Sequence, residues 1–74
     1  MTQQRNLKAF KEYCKKNNYT LEKCTKPGCW LVVMNYRPTP QQAMAITRDV
    51  AEFGYTYTLD GGDKNEYYQL YKAQ

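Results

Sequence analysis

The apolar positions of this chain follow two different spacings, which alternate along its length. In residues 3–17 and again in residues 40–53, apolar side chains recur every three or four residues, the spacing of one face of an α-helix. The inward positions of these two predicted helices are Leu7, Phe10, Tyr13, Cys14, Ala43, Ile46, Val50 and Phe53. After each helix the spacing changes to the alternation of β-strands, so the chain has the order helix, hairpin, helix, hairpin.

Local signals indicate where the two helices begin and end. The first helix closes at residues 17–18, both Asn, because Asn tolerates the left-handed conformation at a helix C-terminus. Thr39 is the predicted N-cap of the second helix, with Pro40 in its first turn and Gln42 completing a capping box. Gly54 is expected to end that helix as a left-handed cap.

The two predicted hairpins turn at residues 26–28 and 60–63. If each loop has an even number of residues, alternate positions of the paired strands share a face. The predicted core face carries Tyr19, Leu21, Lys23, Trp30, Val32, Met34, Tyr55, Tyr57, Leu59, Tyr68 and Leu70. The opposite face carries Thr20, Glu22, Cys24, Cys29, Leu31, Val33, Asn35, Thr56, Thr58, Tyr67, Gln69 and Tyr71.

The sequence therefore predicts an α+β fold: a single αββαββ domain over residues 1–74, with a four-stranded antiparallel sheet and two helices on one face. Its halves, residues 3–36 and 39–73, form a helix–hairpin repeat about a pseudo-twofold axis, which places the second strand of each hairpin in the middle of the sheet. Residues 29–34, the most apolar strand, suit that central position. The layout resembles a circular permutation of the ferredoxin-like βαββαβ arrangement, and this resemblance implies no activity.

The composition indicates a small core that depends on aromatic side chains. Leu, Ile, Val and Phe together number eleven in 74 residues, so the eight Tyr and the single Trp must supply much of the buried area. Modest stability is expected, and formation of a homodimer is a common remedy. The longest apolar run, residues 29–34, is far too short to span a membrane. No apolar run follows residues 1–6, so no signal peptide is expected. We therefore expect a cytoplasmic protein without a membrane partner.

Catalysis is not expected, because the chain has neither His nor Ser and its cysteines lack a His to activate them. No cofactor is implied, and no metal site is expected, since structural zinc normally needs four ligands. The acidic residues around the second turn fit a tight turn better than a cation site. Three cysteines argue against a disulfide framework, although Cys24 and Cys29 flank the first turn and their pairing stays open.

Basic charge is concentrated in the first third of the chain. Residues 1–26 hold seven basic and two acidic side chains, a net charge of +5, whereas residues 27–74 have a net charge of −1. One interpretation is a contact with nucleic acid or another anionic partner, and the other is an ordinary solvated helix face. The residues of this predicted basic surface are Arg5, Lys8, Lys11, Lys15, Lys16, Lys23, Lys26 and Arg37.

The sheet face opposite the helices is predicted to be more apolar than solubility requires. Its candidate binding residues are Leu31, Val33, Tyr67, Gln69 and Tyr71. Three interpretations are open: the tyrosines stack on bases, the face binds a protein partner or a second copy, or a C-terminal segment or loop covers it. A flat nucleic acid cannot easily touch both this face and the basic helix, since the two lie on opposite sides of the sheet.

These features favour a small non-enzymatic protein that acts through protein–protein interaction. By analogy with short proteins of mobile elements, it would be a stand-alone inhibitor or an adaptor of a nucleic-acid-processing machine. The alternative is a small basic nucleic-acid-binding module, indicated by the net +5 of residues 1–26.

Overall fold

The computed structural model describes residues 5–74, in which helices and strands follow the predicted order. The elements are α1 (Leu7–Lys16), β1 (Thr20–Lys23), β2 (Cys29–Met34), α2 (Pro40–Ala51), β3 (Tyr55–Gly62) and β4 (Tyr67–Ala73). The predicted α+β class and the αββαββ order are therefore confirmed.

Helix α1 is bounded by asparagines at both ends. The Asn6 side chain caps its first turn by accepting a hydrogen bond from the Ala9 backbone N–H at 3.1 Å. The predicted start at residue 3 lies outside the described residues, and within them the helix begins only at Leu7. Asn18 has a φ of 61°, so the prediction that Asn closes the helix in the left-handed conformation is confirmed.

Helix α2 begins with the predicted capping box. The Thr39 hydroxyl accepts from the Gln42 backbone N–H at 3.2 Å, while the Gln42 side chain accepts from the Thr39 N–H at 3.0 Å. The helix ends at Ala51, two residues before the predicted end at Phe53. A tighter turn follows, and Gly54 takes the expected positive φ of 87°.

The four strands pair antiparallel in the order β1-β2-β4-β3, so the second strand of each hairpin is central, as the permuted layout requires. Both helices pack on the same side of this sheet, because residues of both join the strands in one core. The buried core residues are Phe10, Cys14, Val32, Met34, Ile46, Val50, Tyr55, Tyr67 and Tyr71.

The second hairpin departs from the predicted register because of one residue. Its loop covers residues 63–66 rather than 60–63, and pairing runs regularly from Gly62–Tyr67 to Leu59–Leu70. The next pair is Tyr57–Tyr71, so Thr58 is left over as a β-bulge. One extra residue reverses which alternate positions share a face.

The bulge overturns part of the predicted site. Three residues of β4 were expected on the sheet face opposite the helices: Tyr67, Gln69 and Tyr71. They lie instead on the helix side, where they are 3%, 1% and 0% exposed. Conversely, Leu59, Tyr68 and Leu70 were expected in the core and lie on the opposite face, in line with Leu31 and Val33. Those predictions are wrong. The faces of the first hairpin are confirmed, with Val32 and Met34 buried and Leu21 and Trp30 packed against the core.

Candidate interaction surfaces

The sheet side opposite the helices, here called the open face, carries side chains in three rows that cross the strands. The register fixes each row, taken from the β1 edge towards β3. The first row is Thr20, Val33, Tyr68 and Gly61. The second row is Glu22, Leu31, Leu70 and Leu59. The third row is Cys29, Lys72 and Thr56.

Five neighbouring apolar side chains occupy the first two rows and form what we call the apolar patch. Its members are Leu31, Val33, Leu59, Tyr68 and Leu70. Leu59 is 48% exposed and the other four are half-buried, although within the described chain no helix lies on this side. Of the five candidate binding residues predicted for this face, Leu31 and Val33 lie on it, and Tyr67, Gln69 and Tyr71 do not.

The ring of Tyr68 lies across Gly61, which sequence reasoning took for a turn residue. A Cβ built on Gly61 would collide with the hydroxyl and ring of Tyr68. Glycine at position 61 thus lets an aromatic ring lie flat over strand β3, where any side chain would displace it. A glycine inside a strand is the sequence signal that indicates such a close approach.

The charges on the open face balance. Glu22 and Lys72 are its only charged residues within the described register, and both are exposed. The face is thus neutral, whereas the whole chain has a net charge of +4. A neutral apolar surface with polar edges has the composition of a protein interface more than that of a phosphate-binding surface.

Five of the eight residues of the predicted basic surface fall in two separate places. All eight of its residues are exposed. The ammonium of Lys11 lies 5.7 Å from the centroid of the Trp30 ring, and Lys23 is paired with Trp30 across the first hairpin. Lys8 and Lys15 are three and four residues from Lys11 on helix α1, so they share its face. We call Lys8, Lys11, Lys15, Lys23 and Trp30 the Trp30 cluster.

Arg37 does not belong to that cluster. It follows the opposite end of strand β2, where its guanidinium lies 5.2 Å from the centroid of the Tyr67 ring. The length of β2 separates Arg37 from the loop lysines Lys23 and Lys26.

A groove of about 420 Å³ lies between helix α2 and strands β3 and β4. Three of its polar lining residues are hydrogen-bonded through their side chains: the Tyr67 hydroxyl donates to the Asp60 carboxylate, and the Gln69 side chain accepts from the hydroxyl of the buried Tyr71. The hydrogen bond from Tyr67 lowers the pKa of Asp60, and burial, followed by this bond, raises the pKa of Tyr67 to about 12. The bond between Tyr67 and Asp60 joins β4 to β3, and the bond between Tyr71 and Gln69 lies within β4. We therefore read the groove as part of the fold.

The three cysteines are free thiols. Burial raises the pKa of Cys14 to about 12 and also raises the pKa of Cys24. Cys24 and Cys29 are adjacent across the first hairpin, where the Cys24 N–H donates to the Cys29 carbonyl at 3.1 Å. Thiols with raised pKa values are poor nucleophiles near neutral pH.

Within residues 5–74, no three His, Cys, Asp or Glu side chains come close enough together to hold a metal ion. Neither of the two helices in this range is long and apolar enough to cross a membrane. In comparisons with known proteins, no family model, curated protein or solved structure matches the chain.

Proposed function

We propose that this protein acts by binding another protein through the open face of its sheet. The observation that carries the proposal is the apolar patch, five neighbouring apolar side chains on the side of the sheet opposite the helices, where no helix of residues 5–74 lies. Exposed apolar patches of this kind are typical of protein–protein interaction sites. In this role binding is itself the activity, as in a small adaptor or an inhibitor of a larger assembly.

The arrangement of the patch favours a protein over a nucleic acid at this face. Leu31 and Leu70 pair at its centre, and polar or charged residues surround them at the edges, which is the anatomy of a protein interface. Base stacking on a sheet needs several aromatic rings and a positive potential. The open face offers one ring, Tyr68, and a balanced pair of charges.

The test compares two apolar residues outside the buried core, the half-buried Leu31 and the exposed Met44, each changed to Glu. Leu31→Glu places a charge at the centre of the patch, and Met44→Glu changes a 65% exposed residue of α2, away from the open face. The native host's lysate is passed over immobilised wild-type and variant protein, after circular dichroism has confirmed that each variant folds. We expect Leu31→Glu to lose the captured partner and Met44→Glu to keep it. Equal capture by both variants would contradict the proposal.

A second candidate function, nucleic-acid binding, is favoured by the Trp30 cluster. Lys11 lies over the Trp30 ring, Lys23 is its neighbour across the hairpin, and Lys8 and Lys15 share the helix face of Lys11, so phosphate contacts and stacking are available at neighbouring positions. Trp30 is the only Trp in the chain, which makes its fluorescence a specific reporter. The experiment follows Trp30 fluorescence during titration with single-stranded and duplex oligonucleotides at several salt concentrations.

For this second function we expect saturable quenching that weakens with salt, with a slope of log K of about −0.9 per phosphate neutralised on a duplex. Reversing Lys8, Lys11 and Lys15 to Glu should abolish the signal. Reversing Arg37 to Glu is the control, because Arg37 lies away from Trp30. An unchanged fluorescence at low salt would remove this function from consideration.

A further inference from the structure

We propose that the partner of the open face is a second copy of this chain, in a two-fold symmetric dimer packed sheet to sheet. The inference rests on the proposed function, because it uses the same face, and it adds the identity and orientation of the occupant. It is carried by the positions of Glu22 and Lys72 relative to the apolar patch.

The register places the two charges at equal distances from the centre of the patch. Neighbouring strands lie about 4.8 Å apart and successive residues about 3.4 Å apart along a strand. Glu22 is one and a half strand spacings from the midpoint of the Leu31–Leu70 pair, which is about 7 Å. Lys72 is half a strand spacing across and two residues along from the same midpoint, which is also about 7 Å.

A two-fold axis in the interface plane can therefore pass through this midpoint and bring Glu22 of each copy opposite Lys72 of the other. The same operation places Leu59 opposite Val33 of the second copy, and the two Tyr68 rings side by side near the axis. Strands of the two sheets then cross at about 70°, close to the orthogonal class of sheet packing. Both ion pairs and the apolar contacts are satisfied by one orientation.

Two other orientations about the same midpoint are disfavoured by charge. An axis parallel to the strands places Glu22 opposite Leu59 of the second copy, which removes a carboxylate from water without a partner. An axis perpendicular to the strands places Glu22 opposite Glu22. Like charges directly opposed at an interface weaken association, so the charge pattern selects the diagonal axis.

The size of the face predicts a weak dimer. Four strands give a face roughly 19 Å wide and roughly 20 Å long, which corresponds to about 800–1,000 Å² buried in total by two copies. This is below the size of most stable complexes, so we expect a Kd of roughly 10–100 µM. The sheets lie about 10 Å apart in the dimer and the helices lie outside them, so the two Trp30 clusters are farther apart than the Debye length of about 8 Å. Salt therefore screens the repulsion between their positive charges.

The experiment is sedimentation equilibrium of the full chain between about 10 µM and 1 mM. Glu22→Lys and Lys72→Glu each place like charges opposite one another twice in the dimer, and each should weaken association about tenfold. The double variant, with both changes, restores opposite charges and should return to within about threefold of the wild type. Both residues are exposed in the monomer, so folding should be unaffected, which circular dichroism checks.

Leu31→Glu should abolish the dimer, and Met44→Glu should leave it unchanged. A wild-type chain that stays monomeric at 1 mM would overturn the dimer. If Leu31→Glu but not Met44→Glu then still lost a partner captured from lysate, the proposed function would stand with a different occupant. A dimer in which the double variant is as weak as the single variants would overturn the two-fold arrangement.

Discussion

The hydroxyl of Tyr71 donates to the side-chain oxygen of Gln69 over 2.8 Å, and both side chains are buried in the core. The two residues are two positions apart on strand β4 and therefore face the same side of the sheet. A polar group buried in this way costs free energy unless it is paired. The pair thus lets a strand with a glutamine at its centre face the core.

Removing either partner should destabilise the protein, and removing both should cost less than the sum of the two single losses. We expect Tyr71→Phe to lower the free energy of unfolding by about 1–2 kcal/mol, because the Gln69 oxygen loses its buried donor. Gln69→Leu should cost about 1–3 kcal/mol for the corresponding reason. Urea unfolding measures both.

The double variant Gln69→Leu/Tyr71→Phe supplies the control for that pair. It should be about 1 kcal/mol more stable than the sum of the single effects, because neither group is then left without a partner. Strict additivity would show that the hydrogen bond does not contribute to stability.

The contact between Tyr68 and Gly61 gives a second prediction. Gly61→Ala should force the Tyr68 ring off strand β3, because the new Cβ occupies the position of the ring. We expect a loss of about 1–2 kcal/mol in the free energy of unfolding, the range for overpacking. Changed chemical shifts of the Tyr68 ring protons would report the displacement directly.

The matched control introduces Gly61→Ala where Tyr68 is already Ala. Alanine should then be neutral or should stabilise by about 0.5 kcal/mol, since it reduces the freedom of the unfolded chain without meeting a ring. The same loss in both backgrounds would mean that the backbone, and not Tyr68, requires glycine at position 61.

Most of the fold could be predicted from the sequence, because its local signals agree with one another. The capping box of Thr39 and the left-handed residues Asn18 and Gly54 specify three of the four helix ends within about two residues. The start of α1 at Leu7 is the exception, since the predicted start is residue 3. The faces of the first hairpin also follow, because its strands pair without interruption. Leu31 and Val33 were therefore placed on the correct side.

The site could be predicted only in part, because the faces of the second hairpin depend on a single unpaired residue. Thr56 and Thr58 both alternate with tyrosines, and nothing in the sequence distinguishes the bulged threonine from the regular one. A strand rich in Tyr also shows little difference in hydrophobicity between its two faces, because each Tyr has an apolar ring and a polar hydroxyl and suits either face. Tertiary packing decided between the two faces, and with it the position of Tyr67, Tyr68 and Leu70.

Deleting Thr58 should therefore be far more harmful than replacing it. Without the bulge, the two ends of β3 cannot both keep their present pairing with β4. Either Tyr55 turns away from the core or Asp60 turns to the open face. We expect the deletion to cost more than about 3 kcal/mol, the range for removing a large aromatic from a core. Thermal unfolding measures the loss.

Thr58→Ala is the control for the deletion, because it keeps the residue count. It removes only the hydrogen bond from the Thr58 hydroxyl to the Leu70 carbonyl at 3.0 Å, which is exposed and should contribute about 0.5 kcal/mol. If the deletion were as mild as this replacement, the bulge would not determine which residues face the core.

The bond between Tyr67 and Asp60 predicts how stability changes with pH. The pKa of Tyr67 is raised to about 12 in the folded protein, so its contribution is complete below the unfolded value of about 10 and is lost as pH rises through 12. The lowered pKa of Asp60 acts in the opposite range: its contribution is present above about pH 4 and is lost as pH falls. Urea midpoints measured at several pH values should therefore fall on both sides of neutrality.

Two variants separate the contributions of Tyr67 and Asp60 from those of the other titrating groups. Tyr67→Phe should reduce the alkaline loss between about pH 10 and 12 without removing it, since burial also raises the pKa values of Tyr13, Tyr19 and Tyr71. Asp60→Asn should reduce the loss of stability below about pH 4 without removing it, since backbone hydrogen bonds from Asn65 and Glu66 also lower the pKa of Asp63. Phenylalanine at position 67 cannot donate a hydrogen bond to Asp60. Tyr67→Phe should therefore also shift the pH at which stability is lost on the acid side. If neither variant changed the loss of stability at acid pH, Tyr67 and Asp60 would not be hydrogen-bonded in solution.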